Sequence, residues 1–233
     1  MRVASPALRP LPLLLLCLGG CSGLFHSTAA PEQTYYLRAP SASDGAAHAE
    51  TAAAPVPPAT ASLRVGRPMA APGLDSPHIM LLQADHRMNF YTGSRWPAPV
   101  PDVIEALTAE TLRASGAWAS IEYSSSPFPS EYLLQITVRR FEADYTEGGP
   151  APVVHVVLDS VLGRREGREV IATFTVSGTV PAADNRLKDV VAAFEQATGQ
   201  ALTALSQKAS QAVLSDAQRS TQNEPNPAPS SSR

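Results

Sequence analysis

The 233-residue sequence is short of cysteine, lysine and aromatic side chains, and each shortage removes a class of function. Its two cysteines, Cys17 and Cys21, both fall within the first 21 residues, so nothing downstream can form a disulfide or a cysteine-based metal site. Lysine occurs only as Lys188 and Lys208, and the formal charge is −3. A phosphate backbone is neutralised by clustered cations, so nucleic acid is not an expected partner. Aromatics make up 6% while Pro is 22 and Gly 14, which assigns part of the length to linker or tail. No apolar run approaches the ~20 residues of a spanning helix. Gly-x-x-x-x-Gly-Lys-Ser/Thr, Gly-x-Ser-x-Gly, His-Glu-x-x-His and Gly-x-Gly-x-x-Gly are all missing. The expectation is a non-enzyme with no catalytic residue, no cofactor and no metal. What is present, 44% hydrophobic residues, suffices for one folded unit.

The start of the chain reads as an address. Arg2 and Arg9 precede Leu11, Leu13 to Leu16 and Leu18, the charged and apolar halves of a secretory signal over residues 1–20. Leu18-Gly19-Gly20-Cys21 resembles the lipobox of bacterial lipoproteins; the plain alternative is an ordinary cleavage site with an incidental cysteine. On the lipobox reading Cys21 is lipidated, by acyl chains such as palmitate, and residues 21–34 form the acylated N-terminus and tether. Loss of Arg2 and Arg9 leaves 16 basic against 21 acidic residues, a mature charge of −5. Membrane residence then rests on acyl chains, each CH₂ contributing about 0.8 kcal/mol, and not on attraction to anionic head groups. Ser22 in place of Asp is what outer-membrane sorting looks like.

Beyond the tether, residues 35–213 read as a single domain with a mixed β-sheet flanked by helices. Gln33–Arg38 is the first strand candidate. An Ala/Pro-rich flexible loop follows over 39–61, where Pro55, Pro57 and Pro58 preclude a continuous helix. Strands are expected over 63–69, 77–83, 87–92 and 117–123, the second and third joined as a hairpin. Pro101-Asp102 suits a helix start, Val103, Ile104, Leu107 and Thr111 continue at helical spacing, and Gly116 ends it. Along 132–141, Leu134, Ile136 and Val138 share one face and Phe141 breaks the parity, so a β-bulge is expected at Arg139-Arg140. Runs 153–162 and 170–180 form a hairpin through a charged tip. In the second run Val170, Ala172, Phe174 and Val176 make the core face, opposite a Thr/Ser face open to solvent or to a partner. From Leu187 to Ala212 apolar positions step by 4 and 3, an amphipathic helix of about 27 residues capped by Asp184 or Asn185. Residues 214–233 read as a disordered tail.

Charged clusters outside these elements carry few site candidates. His78, His86 and Asp85 flank one hairpin and read as solvated hairpin-end groups before a metal site. Glu142, Asp144 and Glu147 lack the ligand density of a calcium loop and read as a solvated acidic edge. Arg164, Arg165 and Arg168 at the hairpin tip are the candidates for contact with a partner or a lipid head group; the alternative is a charged tip that blocks edge-to-edge pairing.

Taken in order, the lipobox, Tyr35-Tyr36-Leu37, Leu74-Asp75-Ser76, Asn89-Phe90-Tyr91 with Arg95-Trp96, Tyr132-Leu133-Leu134-Gln135 running to Arg140-Phe141-Glu142-Ala143, and Val191-Ala192-Ala193-Phe194 resemble the ABC-type transport auxiliary lipoproteins, the PqiC-like family. The resemblance covers Tyr35 to about Leu205. It implies a fold similar to the N-terminal domain of TolB, and a periplasm-facing, outer-membrane lipoprotein. The implied partners are an MCE-domain protein and an ABC permease and ATPase that move lipids or other hydrophobic compounds between membranes. An envelope assembly or scaffold lipoprotein without a transport role is the competing reading. The Ala-rich stripe of the last helix leaves a homo-oligomer open, since a stripe buried within the chain has the same pattern.

Overall fold

The computed structural model describes residues 31–40 and 61–222. Nine strands and two helices follow in the order β1 (Gln33–Thr34), β2 (Ser62–Val65), β3 (Met69–Ala70), β4 (His78–Leu82), β5 (Met88–Arg95), α1 (Val100–Ala114), β6 (Ser120–Glu122), β7 (Tyr132–Asp144), β8 (Val153–Arg164), β9 (Glu169–Pro181) and α2 (Leu187–Gln222). They build one open mixed sheet organised on β7. One edge of β7 pairs antiparallel with β8 along its whole length, and β8 pairs in turn with β9. The opposite edge takes three short parallel strands in succession: β2 beside Tyr132–Leu134, β3 beside Thr137–Val138 and β4 beside Ala143–Asp144. Beyond them, β6 continues from β2, β5 from β4, and β1 from β5.

The run expected as one strand over 63–69 is therefore two. Pro68, between them, has no N–H to give to the ladder. Gly66 still donates to the Leu134 carbonyl of β7 at 2.9 Å, and the break falls after it. The first expected strand shrinks to Gln33–Thr34, extended by the Tyr35 N–H donating to the Arg95 carbonyl at 2.8 Å. The hairpin of β4 and β5 forms as expected. Helix α1 begins at Val100, with Pro101 and Asp102 in its first turn, and the chain leaves it through Gly116 at φ 65°. Residues 41–60, most of the Ala/Pro-rich stretch, lie outside the described residues, as do Cys21 and 223–233.

The bulge in β7 falls where the parity of the sequence places it. Val138 faces Leu158 and Arg140 faces Val157, so Arg139 is the extra residue. The switch keeps Leu134, Ile136, Val138, Phe141 and Ala143 all on one face, each fully buried. Val154, Val156, Leu158 and Leu162 of β8 join them there. A second irregularity, between Leu162 and Gly163, leaves Ile171 of β9 unmatched and turns Val170 to the outer face. Val170, expected in the core, is 60% exposed for that reason.

Both helices contribute to this core and touch one another. Its centre is an aromatic cluster of Trp96 after β5, Phe141 of β7 and Phe194 of α2, with ring centroids 5.0 to 5.9 Å apart. Ala193, Ala197, Ala201 and Ala209 are buried within the chain, so the Ala-rich stripe packs on the chain's own sheet. The contact is close because β9 presents Gly178: a Cβ there would meet the Ala197 carbonyl oxygen at 1.9 Å.

Helix α2 also protects the outer edge of β9, which among the described residues pairs with no strand but β8. Gln200 Oε1 accepts from the Thr179 N–H at 3.3 Å, and Lys208 Nζ donates to the Thr175 carbonyl at 3.1 Å. Asp184 and Asn185 do not cap the helix as expected. Asp184 accepts from the Asn185 N–H, and Asn185 accepts from the Tyr145 hydroxyl. The helix outruns its expected end by a full two turns, to Gln222, so residues 214–222 are helical and not tail. Val213 and Asp216 continue its buried stripe, and that packing sustains a segment whose composition reads as disordered.

Replacing Gly178 by Ala forces α2 away from β9. The expected loss is at least ~2 kcal/mol, at the upper part of the range for overpacked cores. Ser177→Ala, on the exposed face one residue away, should leave chemical denaturation unchanged, and equal midpoints for the two variants would refute this packing.

Candidate functional site

The residues that sequence reasoning singled out at the hairpin tip converge on one end of the sheet. There β7 begins, β8 ends, and α2 arrives with its last turns. An open cleft of about 500 Å³ lies between Pro129–Tyr132 and Arg164–Glu166, with Ser62 of β2 also lining it. Two backbone bonds close its sides: the Glu131 N–H donates to the Ser62 carbonyl at 3.2 Å, and the Arg165 N–H to the Glu131 carbonyl at 2.8 Å.

The three arginines have different roles. Arg164 is held inside the chain, its Nη2 2.5 Å from Asp216 Oδ2 and 3.2 Å from Ser220 Oγ. The Tyr132 hydroxyl donates to the same carboxylate oxygen at 3.0 Å, and Arg219 approaches the other at 3.5 Å. This cluster clips the end of α2 onto the start of β7 and the end of β8. Asp216 is almost fully buried, which opposes its ionisation, but the hydrogen bonds from Arg164 and Tyr132 more than offset that and hold the carboxyl below its ordinary range. Burial, reinforced by Asp216, pushes the Tyr132 phenol up. Arg165, by contrast, has among the described residues only Ser130 Oγ as a side-chain partner, at 3.5 Å, and Arg168 lies on a short 3₁₀ turn, Glu166–Arg168.

Asp216 and Tyr132 were absent from the sequence candidates, although a signal existed. Leu205, Ala209, Val213 and Asp216 step by 4, 4 and 3, so the helical stripe carries an acid on its core face. A carboxylate there needs a cation within reach, and the half-buried Arg164 supplies it.

The other sequence candidates disperse. His78 stacks on Phe90, with centroids 4.4 Å apart, while Asp85 pairs with Arg87 and His86 sits in the hairpin turn. Among the described residues no three His, Cys, Asp or Glu side chains gather where they could hold a metal ion. Glu142 and Asp144 correct the reading of a solvated acidic edge, since both are buried and share Arg140 at 2.5 and 2.8 Å; Glu147 alone is exposed. The bulge causes this, because it turns Arg140 onto the outer face beside both carboxylates. Burial disfavours ionised Asp144, but hydrogen bonds from the Thr146 hydroxyl and N–H and from Arg140 outweigh it and depress its pKa. Among the described residues no helix is long and apolar enough to cross a membrane.

A model of the ABC-type transport auxiliary lipoprotein component family matches residues 45–206. Among solved structures the chain is similar to protein XCC0632 from Xanthomonas campestris, with 28% identity and a TM-score of 0.69 over 80% of this chain and 99% of that one. It also shares its fold with an uncharacterized protein at 15% identity and a TM-score of 0.54, over 66% of this chain and 94% of that one. No curated protein matches.

The clip generates a pH prediction. A carboxyl with a folded pKa below its unfolded value adds stability that is fully present above the unfolded value, ~3.9, and is lost as pH falls through the folded one. Asp216→Asn should cost about 2 kcal/mol at pH 7, below the usual 3–5 for a fully buried pair because Arg164 keeps some solvent contact. It should also flatten the loss of stability below pH 4, measured by denaturant midpoints from pH 3 to 7. A variant with the wild-type midpoint and acid slope would show that the clip carries no load.

Proposed function

The chain belongs to the family of ABC-type transport auxiliary lipoprotein components, and on that premise we propose that it is a non-enzymatic docking component. It is acylated at Cys21, held on the outer membrane facing the periplasm, and positions an MCE-domain partner. Through that partner it serves the permease and ATPase of an ABC system moving lipids or other hydrophobic compounds between membranes. The observation that carries the reading is the extent of the family match, residues 45–206, which takes in the sheet from β2 to β9 and more than half of α2.

Physical arguments support it. A mature charge of −5 gives no field toward anionic lipid, so anchoring falls to the acyl chains. The polar groups at the end of the sheet are largely committed to one another, as in the Tyr132–Arg164–Asp216 clip, an arrangement that makes a rigid surface more readily than a reacting centre. A one-sided sheet leaves its outer face, with Thr173, Thr175 and Thr179, exposed for contact with other molecules.

Fractionation of envelopes tests the anchor: wild-type chain should sediment with the outer membrane, and Cys21→Ala should not. Purified chain should hydrolyse neither ATP nor a lipid ester. Deletion of the chain and deletion of the permease should produce the same sensitivity to hydrophobic compounds. Outer-membrane retention of Cys21→Ala, measurable turnover, or a deletion defect confined to cell shape would each overturn part of the proposal, the last in favour of a scaffold role.

A further inference from the structure

Arginine is the chain's main cation, and almost every described arginine is satisfied internally. Arg38, Arg67, Arg87, Arg95, Arg139, Arg140, Arg164, Arg186 and Arg219 each meet a carboxylate. Arg64 and Arg113 donate to the backbone carbonyls of Phe128 and Ile121. Arg165 and Arg168 are the two described exceptions, three residues apart on the same exposed turn. Arg168 is also held at φ 54°, in the left-handed region that Gly or Asn occupies at less cost. Arg165 reaches only Ser130 Oγ, at 3.5 Å, and the Arg168 guanidinium meets no hydrogen-bond or ion-pair partner among the described residues, so both groups are open to a partner outside the chain.

The same end of the sheet, where β7 and β9 begin, carries exposed apolar residues. Phe128, between Pro127 and Pro129, is 66% exposed, on the loop that forms the other wall of the cleft. Val170, turned outward by the irregularity in the β8–β9 ladder, is 60% exposed. Proline on both sides restricts the Phe128 backbone, and Arg64 ties its carbonyl to β2. Little ordering entropy therefore remains to be lost on binding. An aromatic residue on a restrained backbone and two guanidinium groups without a carboxylate partner, at the end of the sheet that holds the cleft, have the composition of a protein-binding hot spot.

We infer that this corner, made by Phe128, Arg165, Arg168 and Val170, receives an acidic segment of a partner protein, one that carries an apolar residue next to its carboxylates. An anionic membrane fits less well. Glu131, Glu166 and Glu169 are exposed in the same corner, and a plane of lipid phosphates would meet them together with the arginines. A polypeptide can set carboxylates on the guanidinium forks alone and leave the glutamates in water.

The inference rests on the docking reading above and names its surface. The test places the photo-crosslinker p-benzoylphenylalanine at position 128 of the full chain in its native envelope, with position 88, an exposed site on β5, as control. Irradiation should yield a protein adduct from 128 and not from 88, and mass spectrometry should map it to a segment with two or more carboxylates near the crosslinked residue. Arg165→Glu with Arg168→Glu should reduce the adduct by at least about tenfold with an unchanged thermal midpoint, and Arg165→Lys with Arg168→Lys should retain most of it. An adduct indifferent to charge reversal, one mapped to a segment without acids, or one made with phospholipid would overturn the inference. If the chain still co-purifies with its transport partners while position 128 yields nothing, the corner is wrong and the docking reading stands.

Discussion

Helix α2 lies on the sheet with no side chain between them at one point, where Gly178 of β9 faces the Ala197 carbonyl. Much else depends on that approach. It lets α2 run close enough to β9 for Gln200 and Lys208 to bond the strand's free edge, which removes a template for unwanted pairing. It brings Phe194 onto Phe141 and Trp96, the centre of the core. Five helical turns further on, it delivers Asp216 to Arg164 and Tyr132. A wider spacing would separate all three contacts together, because a helix is stiff over this length.

The second constraint is the extra residue in β7. A strand has two faces, and a bulge exchanges them. Without Arg139 as the unmatched residue, Phe141 would point to solvent, and Glu142 would point into the apolar core. With it, Phe141 reaches α2, and the acids meet Arg140 on the outer face. Beyond the bulge, β7 thus carries an apolar packing surface on one side and a compact ionic cluster on the other. The irregularity near Gly163 does the same on a smaller scale, exchanging a core valine for an exposed one beside the arginine turn.

Most of this architecture was legible in the residues. Alternating runs located β5, β7 and β9, continuous apolar or β-rich runs located β4 and β8, and the broken parity at Phe141 located the bulge, because these patterns are local properties of the sequence. What escaped were contacts between distant segments. The burial of Glu142 and Asp144 depends on where Arg140 is turned, and composition alone reads both as solvated. The helical state of residues 214–222 depends on a cation 52 positions upstream of Asp216, so a Ser- and Gln-rich stretch reads as tail. At the site, Arg164, Arg165 and Arg168 were the right neighbourhood, but only the fold separates the arginine committed to α2 from the two left over.

This division of labour connects the fold to a docking role. The inner face and the clip hold the sheet and α2 together; the two arginines without a carboxylate partner or backbone bond sit on one turn; and the family places such chains beside ABC transport systems. The most direct measurement is native mass spectrometry of the complex purified from envelopes through an affinity tag on this chain. The account predicts the acylated chain, its mass raised by lipid on Cys21, together with components of one ABC transport system in fixed stoichiometry. An unacylated chain recovered alone, or an acylated one bound only to a cell-wall or outer-membrane structural protein, would contradict it.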